Sequence, residues 1–552
     1  MEHLEEMHAM NDSLHNLGNV SDFASGEMRQ IEVSGEKILL LREGDEVWAV
    51  GGECPHAGAP LIEGVLTDRK VICPWHKAVF CIRTGALIDP PAVDGIQRYR
   101  TRIVDGNILL EEADSGAKNA MPAAKDARHF VILGAGAAGL SAAQSLREEG
   151  FSGKITLVSR EEALPYDRTI LSKYVLAGQE ASEKSPLHDA AFYEGQKIDR
   201  YIGEISNLDA SNKIVEFSTG DRLQYDAAVI ATGSVVVPLP FPGGTLGNVF
   251  GLRTQDDAER IVSAAKIGKR VVVIGASFIG MEVAAALRER GLGVIVVTGE
   301  RAPFEKQLGA DVGNVYRELH QEKGVEFRFG AQVEHLEGEQ VVKAVLLSNG
   351  ERLDADIVVA GIGVRPATGF AKGMAREKDQ GLEVDAQLRL RQDLFAVGDV
   401  AAFPSYGDGP LIRAEHWRVA EQQGRMAARN MLGREEAFTA VPYFWTSQFS
   451  IRLDYVGHAR GDAVTVIRGD LAERAFIVYY LEGGLVAAAA GMNRDKDMAA
   501  LITLLSLKRS WKVDELHPIG ASPEAVLNNT AMKSSKGGYS ALCASLGQIA
   551  RL

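Results

Sequence analysis

The chain has 552 residues, room for roughly three to four domains, with 46% apolar and 24% charged residues, the texture of a globular protein. Its formal net charge of −14 argues against bulk binding to nucleic acid and against an anionic membrane surface, since both need clustered Lys and Arg. Only four cysteines (Cys54, Cys73, Cys81, Cys543) occur, too few for a disulfide framework and suited to a reducing, cytoplasmic compartment, and no apolar run approaches the roughly 18 residues of a transmembrane helix.

Residues 1–20 are polar, acidic and His-bearing, without the basic start and apolar run of a signal peptide. His3, His8 and His15 read as incidental to a disordered tail rather than as a metal site. Residues 20–112 read as a β-rich domain of short alternating strands, for example 37–41, 47–50 and 107–110, bounded by Gly and Asp. Inside it, ECPHAGAP (53–60) and VICPWHKAVF (71–80) give Cys-x-His, sixteen residues, then Cys-x-x-His. Two thiolates on one iron and two neutral imidazoles on the other make a Rieske-type [2Fe-2S] centre, so Cys54, His56, Cys73 and His76 are the expected ligands. A Cys₂His₂ zinc site is the rival, but zinc fingers pair Cys with Cys and His with His, beside a helix. Pro55 and Pro74 stiffen the two loops, and Cys81 reads as a buried small residue.

Residues 113–127 (ADSGAKNAMPAAKDA) are small and polar, an interdomain linker. At residue 129 the texture changes to strand, Gly134-Ala-Gly136-Ala-Ala138-Gly139, then a helical run, then the strand KITLVS: a βαβ unit that favours a dinucleotide pyrophosphate. A second such unit begins at Arg270, with Gly275-Ala-Ser277-Phe-Ile-Gly280, 141 residues after the first by its leading glycine. Two nucleotide-binding units predict two dinucleotides.

The cluster segment resembles Rieske ferredoxins, and its loops carry Ala59 and Trp75 where respiratory Rieske proteins have a disulfide. Without it, a potential near the low end, about −150 mV, is expected. LPYDRTILSKYVL (164–176) resembles the flavin-side segment of the apoptosis-inducing-factor and oxygenase-coupled ferredoxin reductase group of FAD-dependent pyridine nucleotide oxidoreductases. That resemblance implies a cofactor-binding set. Glu161 is expected at the ribose and Arg168 and Lys173 beside the flavin. Ala231-Thr232-Gly233 forms the crossing loop, and Gly398-Asp399 of LFAVGDV meets the ribityl chain. His416, Trp417 and Trp445 lie along the isoalloxazine. Glu282 is expected to pair with Lys173, the two forming the catalytic pair. Gly363 of Gly361-Ile-Gly-Val-Arg-Pro closes the nicotinamide site, and Glu300 accepts a ribose hydroxyl, against Arg301 as a 2′-phosphate ligand, which leans toward NADH. No Cys lies between Cys81 and Cys543, so a redox disulfide beside the flavin is excluded.

The resemblance covers about residues 25–525, and its domain order matches apoptosis-inducing-factor-like proteins with an N-terminal Rieske domain. The resemblance carried by residues 164–176 and 394–400 implies the order 128–253 for the first part of an FAD domain, 254–377 for an NAD(P)H domain, 378–440 for the rest of the FAD domain, 441–526 for a C-terminal α/β domain and 527–552 for a tail. It implies an enzyme moving electrons from NAD(P)H through FAD to the cluster and on to a one-electron acceptor such as an oxygenase, cytochrome or ferredoxin. The alternative is a redox-responsive interaction protein with slow NADH oxidation. A monomer or homodimer, with no nucleic-acid or membrane partner, is expected.

Overall fold

A computed structural model describes residues 15–114, 126–179, 186–266, 268–507 and 510–534. The chain divides into two compact units, Met1–Ala120 with Asp495–Leu552, and Met121–Arg494.

The first unit is built on a six-stranded antiparallel sheet, ordered His15–Asn19, Asn107–Asp114, Arg98–Val104, Glu46–Gly51, Glu36–Glu43, Met28–Val33. The strand EKILLLRE shows why it is central. Four successive apolar residues alternate across the pleat, so Ile38 and Leu40 join one core while Leu39 and Leu41 join another. The first core holds Phe23, Val47, Tyr99 and Ile108. The second holds Cys54, Val71, Cys73 and Phe80, and so underlies the cluster loops. A four-stranded sheet, Val65–Thr67, Lys70–Ile72, Val79–Cys81 and Leu87–Asp89, carries the second of those loops. His15–Asn19, expected as part of a tail, instead pairs antiparallel with Asn107–Asp114. Leu17 and Val20 pack against the Phe23 core, which is what holds this segment down. His3 and His8 lie outside the described residues, as does most of the expected linker. The helices Asp495–Leu507 and Pro523–Ser534 complete this unit by packing on Val65–Thr67.

The second unit contains two parallel sheets. In one, the order is Ile198–Ile202, Lys154–Ser159, His129–Leu133, Ala227–Ile230, Leu394–Ala396, with Arg389–Arg391 antiparallel at the edge. Leu394–Ala396 returns beside Ala227–Ile230 from far along the chain, so the loops after both strands open at the same sheet end. Helix α1 (Ala137–Glu148) follows the first glycine loop. The other sheet has five parallel strands, Val249–Gly251, Ile357–Ala360, Arg270–Ile274, Gly293–Thr298, Glu326–Phe329. Its helices α2 (Phe278–Glu289) and α3 (Glu305–Glu322) bury apolar faces in one core with Val271, Val273 and Val296. Helix α4 (Trp417–Met431) packs along α1. A five-stranded antiparallel sheet, opening with Tyr443–Gln448, closes the unit, and that strand lies against α2.

Candidate redox site

The two cluster loops fold alike. Cys54 N–H donates to Ala59 O at 2.9 Å, and Cys73 N–H donates to Ala78 O at 2.8 Å. Each loop therefore closes five residues on, with its Cys buried and its His half-buried. The fourth residue after each Cys takes positive φ: Gly58 in the first loop, Lys77 in the second, at φ 62°. Lys77 is fully buried, and its Nζ donates to Pro74 O at 2.5 Å inside its own loop. Nothing in the Cys/His spacing had marked it. The thiols of Cys54 and Cys73 are neighbours that shift each other's ionisation in opposite directions. Nδ1 of His56 lies 2.9 Å from Nδ1 of His76, with the rings edge-on. The donors thus divide two and two, thiols together and imidazoles together. That suits a two-iron centre with sulfur on one iron and nitrogen on the other; a single zinc would need all four around one point. The Cys73 thiol is lowered to about 6, chiefly by the hydrogen bond from Cys54; burial opposes this, and the N–H groups of His76 and Trp75 and the Lys77 charge assist.

In the second unit the first glycine loop fits a pyrophosphate. Helix α1 begins at Gly136 with no side chain capping its free N–H groups, and a Cβ on Gly136 would meet open space. By contrast, a Cβ on Gly139 would lie 1.8 Å from Gly134 O, so the turn closes only with glycine there. Ala138, Gly398 and Ala420 meet where this loop touches the 398–400 turn and α4. Asp399 in that turn accepts from Ser234 Oγ and Arg253 Nη2, both at 2.8 Å. Gly233 lies against the same Arg253 and Asp399, Thr232 Oγ1 donates to Ala367 O, and Ala231 N–H donates to Leu133 O. Glu161, the expected ribose ligand, has both oxygens engaged: Oε1 accepts from Arg168 Nη2 at 2.5 Å and Oε2 from Tyr166 OH at 2.7 Å. Burial pushes the Glu161 carboxyl up, but the charge and hydrogen bonds of Arg168 and the Tyr166 hydroxyl outweigh it and hold it below its ordinary value. Arg168 is thereby fixed rather than free to swing. His416 caps the start of α4 with its ring 4.6 Å from that of Phe444; Trp417 opens the helix, and Trp445 stacks near Tyr443.

Lys173 stands on a π-helical turn, Leu171–Val175, and Glu282 on α2. Nζ donates to Glu282 Oε2 at 2.9 Å, and both side chains are nine-tenths buried or more. In the second glycine loop Ser277 caps α2 by accepting from Gly280 N–H, and its hydroxyl donates to Gly361 O. Gly275 backs onto Gly361, and Gly363 has positive φ with open space beside it. Ile279 and Ile362, both exposed, offer apolar surface at this mouth. Glu300, past the end of Gly293–Thr298, pairs with Lys306 at 3.2 Å. Arg301 is bound to Glu305 through its backbone N–H at 2.9 Å and Nε at 2.8 Å.

Comparison with known proteins places this geometry. The profile of the pyridine nucleotide-disulphide oxidoreductase family matches residues 128–424. The chain belongs to that family. Rieske [2Fe-2S] domain and reductase C-terminal profiles match residues 13–100 and 443–520. Apoptosis-inducing factor 3 of Homo sapiens is 36% identical over 516 residues, 90% of this chain and 85% of that protein. The ferredoxin–NAD(+) reductase component of the anthranilate 1,2-dioxygenase system of Burkholderia cepacia is 34% identical, over 68% of this chain and 94% of that protein. Among solved structures, that of the covalent putidaredoxin reductase–putidaredoxin complex matches 74% of this chain and all of its own, at 32% identity and a TM-score of 0.70. The chain is thus an FAD- and NAD(P)H-dependent oxidoreductase with a Rieske domain, and the residues described above fit those groups. The disulphide of the family's title has no counterpart in the flavin half, which lacks cysteine. Among the described residues no helix is long and apolar enough to cross a membrane.

Proposed function

We propose that the chain is a reductase that takes electrons from NAD(P)H and delivers them singly, through its own cluster, to a one-electron protein acceptor. The observation that carries this reading is the two-and-two donor set of Cys54, Cys73, His56 and His76 in the same chain as two nucleotide-binding units. A bound flavin takes a hydride as two electrons and can release them one at a time, which a Rieske centre requires. The residues do the rest. Uncapped N–H groups of α1 hold pyrophosphate, and Asp399, fixed by Ser234 and Arg253, faces the ribityl chain. The Lys173 ammonium, fixed by Glu282, places positive charge where reduction adds electrons. Relatives named as ferredoxin–NAD(+) reductase components, and a solved reductase–putidaredoxin complex, support a small iron–sulfur protein or an oxygenase as acceptor.

Steady-state turnover tests this. NADH is expected to reduce the flavin rapidly and to drive cytochrome c reduction. Cys73→Ser is expected to lose the cluster's EPR signal and cytochrome c reduction while keeping flavin reduction. Cytochrome c reduction unchanged in that variant removes the cluster from the path. Slow flavin reduction with no acceptor turnover in the wild type favours the second reading, a redox-responsive interaction protein. That reading draws on the likeness to apoptosis-inducing factor 3, which extends over 90% of the chain.

A further inference from the structure

A line of buried polar side chains runs inward from the Lys173–Glu282 pair. Glu282 Oε2 accepts from Lys173 Nζ at 2.9 Å and from Ser172 Oγ at 2.5 Å. Its other oxygen, Oε1, accepts from Thr446 Oγ1 at 2.7 Å. Thr446 Oγ1 accepts in turn from Gln448 Nε2 at 3.0 Å, and Gln448 Oε1 meets His320 Nε2 at 2.7 Å. Thr446, Gln448 and His320 are all buried, at 2% exposure or less. Thr446 and Gln448 share one face of the strand Tyr443–Gln448, and His320 comes from α3.

The protons in this line have one consistent arrangement. An ionised carboxylate only accepts, so Thr446 spends its single hydroxyl proton on Glu282. Its lone pair then faces the Gln448 amide, which turns the Gln448 carbonyl toward His320. His320 must carry its proton on Nε2, and burial keeps the ring neutral by pushing it down to about 4. Every link therefore donates toward Glu282. Lys173 on the π turn pairs with Glu282, and Tyr316 on α3 lies near it, its hydroxyl pushed up first by burial, then by the charges of Glu282 and Asp454. The strands against α2 present Val271, Val273, Val294, Val296, Ile357 and Val359.

We propose that Thr446, Gln448 and His320 are positioning residues that hold the Glu282 carboxylate in place and, through it, fix the Lys173 ammonium, so that they set the flavin midpoint potential. The inference rests on the reading that places Lys173 beside the flavin.

The experiment is the flavin midpoint potential of the full-length holoprotein, by dye-equilibrated anaerobic titration. Thr446→Val is expected to lower it, because a loosened Glu282 no longer fixes the Lys173 ammonium that favours the reduced flavin. Thr446→Ser is expected to follow the wild type, and Gln448→Leu to shift the same way by less. A Thr446→Val potential equal to that of the wild type overturns the proposal, as does an equal shift in Thr446→Ser. Should Thr446→Val fail to retain flavin, an unmoved Gln448→Leu potential overturns it. Lys173→Met separates the two readings. If it leaves the potential unchanged, Lys173 is not beside the flavin; if it shifts the potential while Thr446→Val does not, only the line is at fault.

Discussion

At the scale of single residues, buried or fixed charges decide the behaviour of this chain. His320 is fully buried, and its ring is pushed down from 6.5 to about 4, first by burial, with the Gln448 hydrogen bond opposing. The unfolded chain takes up that proton below about pH 6.5, while the folded one refuses it until about pH 4. Its contribution to stability is therefore unaffected above that window and falls as pH drops through it, by about 3 kcal/mol in full. Denaturant titrations at about pH 7.5 and about pH 5 are expected to show this loss in the wild type and a smaller one in His320→Gln. Arg301 gives a second test. Glu305 holds its guanidinium, and we propose that this keeps Arg301 from a 2′-phosphate and so favours NADH. Glu305→Ala is expected to free Arg301 and raise the ratio of kcat/KM for NADPH over NADH, by up to about tenfold, the worth of one charged hydrogen bond. An unchanged ratio removes Arg301 from coenzyme choice.

How far such residues are legible in sequence depends on how local their chemistry is. Cys54, His56, Cys73 and His76 stand out because each loop carries its own pair within four residues, and the chemistry demands that mix. The first glycine loop is legible because strand, turn and helix are contiguous. Lys173 and Glu282 are 109 apart, and only likeness to a family joined them. Nothing joined Thr446 and Gln448 to His320, since each residue alone is unremarkable and the line exists only once a strand and two helices have packed. The run of three polar residues, Thr446-Ser447-Gln448, directly after three aromatics in YFWTSQ was the one available sign. His15–Asn19 was misread for a related reason: its partner strand begins about ninety residues later, and a polar segment shows no strand pattern until it is paired.

At the scale of elements, the contact between α1 and α4 joins the two glycine-bearing loops proposed to hold the flavin. Gly424 is the point of closest approach: a Cβ there would lie 2.1 Å from Ala138 O. The residue before it, Gln423, accepts the Gly398 N–H at 2.7 Å, so the helix pair also sets the turn that carries Asp399. Gly424→Ala is expected to force the helices apart, costing about 1–3 kcal/mol and lowering the flavin-to-protein ratio of the purified chain. Full flavin occupancy with an unshifted melting temperature would mean that α4 can slide without disturbing Asp399.

At the scale of the whole molecule, the fold is two units whose segments are not consecutive: residues 121–494 are inserted between the two segments of the other unit. The helices Asp495–Leu507 and Pro523–Ser534 pack on Val65–Thr67, one of the strands of the sheet that carries the second cluster loop. A chain ending at Arg494 is expected to keep flavin but to lose iron at a lower temperature than the full chain, read by cluster absorbance on heating. During translation this imposes a timetable. The cluster ligands leave the ribosome early, yet the helices that finish their unit arrive only after the entire nucleotide-binding portion has been made. A chain terminated before Asp495 is left with an unfinished cluster unit.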